Sequence, residues 1–427
     1  MCPEDGCFPG LYCSKFLDKP WLSDGHTMVL SSVWGSTQTI LSVDVLSGRV
    51  SRISPNNSNF SWDVLALDGD NIIAVCSSPV DIPEIKYGSL LGKISIDAKW
   101  SWQDVLSPST KCSERVLSLL ASLQFDIIKI PVRGVSENLT KGASKPFEAI
   151  CVSPKCKKPD LHDPLIVILH GGPHDVSTSS FSKSSAFLAS LGFSLLIVNY
   201  RGSLGFGEEA VQSLPGKVGS QDVGDVLTAI DHIIDKGLAD PSKIAVVGIS
   251  HGGFLTTHLI GQAPDKFAAA AARNPVCNFA LMVGTSDIPD WCFFEAYGSQ
   301  NSDSLPSGAR DLRVPIYDGI QYARALKENG VEIKVIMFPN DVHAIKRPQS
   351  DFESFLNIGA WFKKIVADSH SRIPAEGRKC CLAVCLFQYS FSNLFGLKTP
   401  AASGLRISGF LCSIAIGNYR TILFLVN

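Results

Sequence analysis

Short apolar runs rich in β-branched residues, separated by turn residues, fill the first part of the chain. Residues 27–32 (TMVLSS), 39–45 (TILSVDV), 64–67 and 71–76 (NIIAVC) are of this kind. At that spacing they predict an antiparallel sheet, as in a sandwich or the blades of a propeller. The texture changes after residue 125. Runs at 125–132 and 147–152 are still strand-like, but Leu165–Leu169 (LIVIL) and 194–198 (SLLIV) are continuously apolar, as suits strands buried on both faces. Gln221–Asp235 instead carries Val223, Val226, Leu227, Ile230, Ile233 and Ile234, the spacing of a helix with one apolar stripe. Further on, the pattern predicts strands at 244–247, 267–273 and Glu332–Phe338, and helices from 251 to about Gln262, at 319–329 and at 352–366. Strands alternating with helices predict an α/β fold with a doubly wound, mostly parallel sheet.

The last stretch, 368–427, has no clear amphipathic period, and its apolar runs are broken by Ser, Gly, Lys and Arg. None reaches the roughly 18 uncharged apolar residues of a membrane helix, so an unpacked extension is expected and no membrane span. Composition adds little. Of the 427 residues 45% are hydrophobic and 18% charged, which is globular, and the length suggests two domains. A net charge of −2 with no Lys/Arg block gives no sign of nucleic-acid binding. The N-terminus MCPEDGCFPG has no basic and apolar signal pattern. Thirteen cysteines occur without a C-x-x-C pair, and most of them read as reduced packing residues of a cytoplasmic protein. Cys2, Cys7 and Cys13 have no spaced histidines beside them, and His170 and His174 flank Gly-Gly-Pro rather than lying on a helix. No metal and no cofactor is expected.

The chemistry gathers at Lys243–Phe254, KIAVVGISHGGF. A buried strand that breaks into a helix at Gly-x-Ser-x-Gly is a nucleophile elbow with Ser250 at its apex. A serine hydroxyl needs a base, and the base needs an orienting carboxylate. In the α/β-hydrolase arrangement they follow in the order Ser, Asp, His. Downstream, the best carboxylate is Asp311 in GARDLRVP, and the best histidine is His343 in FPNDVH, just after a predicted strand. Asp341 competes locally, as a solvated or capping residue. The oxyanion needs two backbone N–H donors. His251, next after the nucleophile, supplies one, and Gly172 in His170-Gly171-Gly172-Pro173 the other, with Gly171 the next choice. The His251 ring is expected to wall the site rather than act as a second base.

HGGPH, NYRGSLGFGE, GISHGGF, RNPVCNFALMVGTSDIPDWCFFEAYG, DLRVP and FPNDVH with RPQSDFESFLNIGAWF resemble the prolyl oligopeptidase family of serine peptidases, on its acylaminoacyl-peptidase branch. The resemblance covers residues 147–366 with specific motifs, and the strand-rich stretch before them less specifically. It implies a Ser250, Asp311, His343 triad, oxyanion amides at Gly172 and His251, and Arg313 holding substrate. It also implies release of an N-acylated residue from short blocked peptides, behind an N-terminal propeller, in a cytoplasmic and often oligomeric protein. Three departures stand out. Only about 125 residues precede the hydrolase region, enough for two or three blades. Residues 295–310 (EAYGSQNSDSLPSGAR) contain no apolar run for the strand that should precede Asp311. The tail resembles nothing in the family. Together they describe a truncated or alternatively spliced form, with a partial β-propeller at 1–125, an α/β-hydrolase domain at 126–367 lacking one strand before Asp311, and a non-family tail at 368–427. The missing strand leaves a gap between the strands at 267–273 and 332–338, which either pair directly or stay as an exposed edge. Activity is expected to be impaired. A carboxylesterase, or a non-catalytic fragment that binds peptides, are the alternatives.

Overall fold

The computed structural model describes residues 7–55, 59–92, 99–105, 112–133, 140, 142–156, 163–298, 314, 316–338, 341, 343, 345–367, 382–388 and 421–425. The chain divides into two compact units, Met1–Asp240 and Pro241–Asn427.

The first unit opens with two antiparallel sheets. One holds β1 (Thr27–Trp34), β2 (Thr37–Asp44) and β3 (Arg49–Arg52), and the other β4 (Ser61–Asp68), β5 (Asn71–Ser78), β6 (Asp81–Leu91) and β7 (Lys99–Asp104). Their alternation buries Val29, Ile40, Trp62 and Ile72 in one cluster, with Trp100 and Trp102 packed against it. Gly88 faces Trp102 across the β6–β7 pair. A Cβ there would come within 2.7 Å of the indole, so the close aromatic packing requires glycine.

After α1 (Glu114–Ala121) come β8 (Leu123–Ile130) and β9 (Phe147–Pro154), an antiparallel pair. Next are β10 (Leu165–Leu169), α2 (Lys183–Ser190), β11 (Ser194–Asn199), α3 (Glu208–Val211) and α4 (Gln221–Asp235). β10 runs parallel to β11, and β9 antiparallel to it. All six residues of β11 are buried, as its continuous apolar run predicts. α4 buries Val223, Val226, Ile230 and Ile233 of the predicted stripe, and leaves Leu227 and Ile234 half-buried. Asp225 on the same helix takes Arg201 in a buried bidentate pair, with Nη2 to Oδ1 at 2.6 Å and Nε to Oδ2 at 2.9 Å. The β1–β2 turn is tied to the α/β strands of this unit. Ser36 N donates to Glu148 on β9 at 2.8 Å, and Asn199 on β11 donates to Ser36 Oγ at 2.9 Å. Gly205 approaches the same turn so closely that a Cβ would lie 2.9 Å from Gly35 O.

The second unit carries β12 (Ile244–Ile249), α5 (His251–Gln262), β13 (Ala269–Arg273), α6 (Phe279–Thr285), α7 (Pro289–Tyr297), α8 (Ile316–Glu328), β14 (Glu332–Phe338) and α9 (Pro348–Ala367). β12 and β13 are parallel and buried.

The tail departs from expectation. Two of its segments are strands, β15 (Leu382–Gln388) and β16 (Thr421–Leu425). β16 pairs in parallel with Ala271–Arg273 of β13 and with Glu332–Ile336 of β14. β15 pairs in parallel with Ala269 and Ala270 of β13 and with Ile333–Phe338 of β14. The place foreseen as a gap or an exposed edge is therefore taken by tail backbone, and β13 and β14 are bridged rather than paired directly. LAVCLFQ and TILFL are the apolar runs that a central parallel strand uses. A run of that length carries no period by which its state can be read. Among the described residues no helix is long and apolar enough to cross a membrane.

Candidate active site

Ser250 stands between β12 and α5 with φ 56° and ψ −117°, a left-handed conformation that costs a non-glycine residue about 1–3 kcal/mol. The neighbouring glycines make the turn possible. A Cβ at Gly248 would fall 2.0 Å from Gly252 O, and one at Gly253 would fall 2.7 Å from Pro275 Cα. The strained apex is held by its backbone. Ser250 N donates to Arg273 O at 2.9 Å, and Ser250 O accepts from Phe254 N at 3.0 Å. His251 is the first residue of α5, so its amide is among the four helix-first N–H groups with no intrahelical acceptor. The positive end of the helix dipole lies there. Its ring is fully buried, 5.2 Å from the Phe254 ring and 6.5 Å from Phe279. The ring is thus packed among aromatic side chains.

His343 follows β14, and its Nε2 lies 3.0 Å from Ser250 Oγ. These two residues are 93 positions apart in the chain, and the fold brings them into hydrogen-bond contact. Asp341, two residues earlier, is buried. Its Oδ1 accepts from Arg347 N at 3.0 Å, so it caps the turn leading into α9 and is not solvated. Asp311 and Arg313 lie outside the described residues. Gly172 belongs to the first unit, with φ 112°, and a Cβ there would meet His174 N at 2.6 Å. Its own loop therefore demands glycine. His170 and His174 are engaged separately. His170 Nε2 lies 2.8 Å from Ser203 Oγ, and His174 Nδ1 lies 2.8 Å from Gly202 O. Among the described residues no cluster of His, Cys, Asp or Glu is placed to hold a metal ion.

The loop from β13 to α6, residues 273–278, belongs to the motif RNPVCNFALMVGTSDIPDWCFFEAYG, and its polar side chains frame the elbow. Arg273 is buried and pairs with Asp351 at 2.8 Å. Burial pulls its guanidinium below the usual value, and Asp351 opposes that. Asn274 Nδ2 donates to His343 O. Asp318, at the start of α8, accepts the amides of Cys277 at 2.7 Å and Asn278 at 2.9 Å on one oxygen. Burial raises its pKa from 3.8 to about 6, against the lowering by those two N–H donors. The motif RNPVCN was visible in the chain, but nothing local says which polar side chain faces inward.

Two family profiles match the chain. One described as "Prolyl oligopeptidase family" covers residues 179–369. One described as "Acylamino-acid-releasing enzyme, N-terminal domain" covers residues 1–117. The chain belongs to the prolyl oligopeptidase family. Acylamino-acid-releasing enzyme 2 of Oryza sativa subsp. japonica is 58% identical over 406 residues, covering 88% of this chain and 52% of the relative. The Homo sapiens acylamino-acid-releasing enzyme is 34% identical over 383 residues, covering 83% of this chain and 51% of the relative. The chain thus spans about half the length of the curated relatives it matches. Among solved structures, the Pyrococcus horikoshii acylaminoacyl peptidase gives a TM-score of 0.64 at 18% identity, covering 82% of this chain and 56% of that one. A puromycin-hydrolysing peptidase of Mycobacterium tuberculosis gives 0.62 at 18% identity, covering 81% and 52%. At that identity the likeness bears on fold alone. The fold is that of the α/β-hydrolases, preceded by antiparallel sheets.

Proposed function

We propose that this prolyl oligopeptidase family member is a serine hydrolase that cleaves the bond after an N-acylated residue in short blocked peptides. The observation that carries the proposal is the contact between Ser250 Oγ and His343 Nε2 at 3.0 Å, on a strained elbow at a helix N-terminus. Ser250 Oγ attacks the scissile carbonyl while neutral His343 takes its proton through Nε2. The carbonyl oxygen becomes an oxyanion, and the His251 amide donates to it with the α5 dipole behind. His343 then returns the proton to the leaving amine, which departs as the shortened peptide. Water, deprotonated by the same imidazole, releases the N-acyl amino acid from Ser250. Asp311 is assigned to orient His343, and Arg313 to hold substrate, by the resemblance of DLRVP. The blocked-peptide substrate class is supported by the similarity to the acylamino-acid-releasing enzymes of rice and human.

Hydrolysis of an N-acetylated peptide and of an aryl ester, each compared with Ser250→Ala, tests the proposal. Peptide turnover that disappears in the variant is expected. Turnover of the ester alone points to a carboxylesterase. Binding of the blocked peptide with neither substrate cleaved points to a non-catalytic fragment.

A further inference from the structure

We propose that Asn274 is a positioning residue that sets the distance between the nucleophile and its base, an inference that rests on the pairing of Ser250 with His343 proposed above. Two consecutive residues at the end of β13 hold the two halves of that pair. The Arg273 carbonyl accepts the Ser250 amide at 2.9 Å. The Asn274 side-chain amide donates to the backbone carbonyl of His343, 69 positions later. Any slippage of the histidine loop relative to the elbow has to break one of these bonds.

The backbone tells the same story. Among the described residues three non-glycine positions have positive φ: Ser250 at 56°, Asn274 at 41° and Ile345 at 38°. They fall on the elbow, on the loop beside it and on the histidine loop. Left-handed residues of this kind persist where surrounding structure over-determines them, and they gather at functional sites. Asparagine tolerates the left-handed region better than most side chains.

Burial supplies the remaining argument. Asn274 is 1% exposed, and its Oδ1 is buried with no hydrogen-bond partner among the described residues. A buried amide that leaves its carbonyl unsatisfied costs stability. An apolar side chain would avoid that cost but could not donate to His343 O. The following residues clamp the loop in place: Pro275 lies against Gly253, and Asp318 holds the amides of Cys277 and Asn278. Asn274 therefore donates from a fixed platform.

The test uses the full chain with Asn274→Gly, which keeps the left-handed backbone and removes the donor. Asn274→Asp keeps the size and replaces the donor with an acceptor. Two quantities are measured for each: the rate at which a serine-reactive phosphonate labels Ser250, and kcat and KM for an N-acetylated peptide. A misplacement of about 1 Å costs on the order of a hundredfold in rate. Both variants are therefore expected to label about 10- to 100-fold more slowly, with kcat falling in step, KM unchanged and cooperative thermal unfolding retained. Labelling of both variants at the wild-type rate overturns the proposal even where acyl-peptide hydrolysis is robust. A joint loss of KM and cooperative unfolding overturns it too, since that is what a general structural role produces. Slowed labelling in a chain that never cleaves acyl-peptides leaves Asn274 as a positioning residue and removes the substrate assignment.

Discussion

Asp318 should make the second unit less stable as pH rises, and the size of the effect can be worked from its surroundings. Asp318 is 2% exposed, and burial raises its carboxyl pKa from 3.8 to about 6. The folded state thus binds this proton more tightly than the unfolded state. The stability it contributes is fully present below about pH 4 and is lost as pH climbs through about 6. The difference between the two values corresponds to about 3 kcal/mol. Asp318→Asn retains an oxygen to accept the Cys277 and Asn278 amides but carries no charge. Its stability should therefore stay flat where the wild type declines. Asp318→Ala leaves the half-buried Cys277 N–H and the Asn278 N–H of an exposed residue without this acceptor, and should cost about 1–3 kcal/mol in all at any pH. Urea unfolding of the three chains between about pH 4 and pH 7.5 provides the assay, because the difference between wild type and variant at one pH cancels the other titrating groups. Parallel pH slopes for wild type and Asp318→Asn would refute the reasoning.

Further outcomes concern the rest of the fold. Ending the chain after Ala367 removes the strands that bridge β13 and β14, so amides of 269–273 and 332–338 should lose hydrogen-exchange protection and the chain should aggregate more readily; unchanged protection would mean that the tail pairing does not hold those strands. In the first unit, Asp225→Ala strands the buried Arg201 guanidinium and should destabilise that unit by about 3–5 kcal/mol in thermal or urea unfolding. Replacing both partners by apolar residues of similar volume should cost much less, and equal losses would show that the charge pairing is not the cause.

The α/β pattern, the elbow and the histidine were legible because each leaves a local signature: an apolar run, a Gly-x-Ser-x-Gly turn, a histidine just after a strand. β11 and α4 lie where their apolar positions put them. Asn274 and Asp318 left no such signature, since their partners are 69 and 40–41 positions away and a polar residue in a loop looks the same whether it is solvated or holding a backbone. The helices α6 and α7 lie within the family motif RNPVCNFALMVGTSDIPDWCFFEAYG. The tail strands are hidden in the sequence for a different reason. Its two apolar runs are short and separated by Gly- and Ser-containing sequence, and only the unfilled place between β13 and β14 gives them a partner.

Activation of Ser250 by His343 is measured most directly by the rate of phosphonate labelling from about pH 5 to pH 9 in the wild type and in His343→Gln. The label should be found on Ser250, its rate should fall as pH drops through about 6–7 where the imidazole becomes protonated, and the variant should label at least about a hundredfold more slowly. A flat pH profile, a label on another serine, or an unaffected His343→Gln variant would contradict the account.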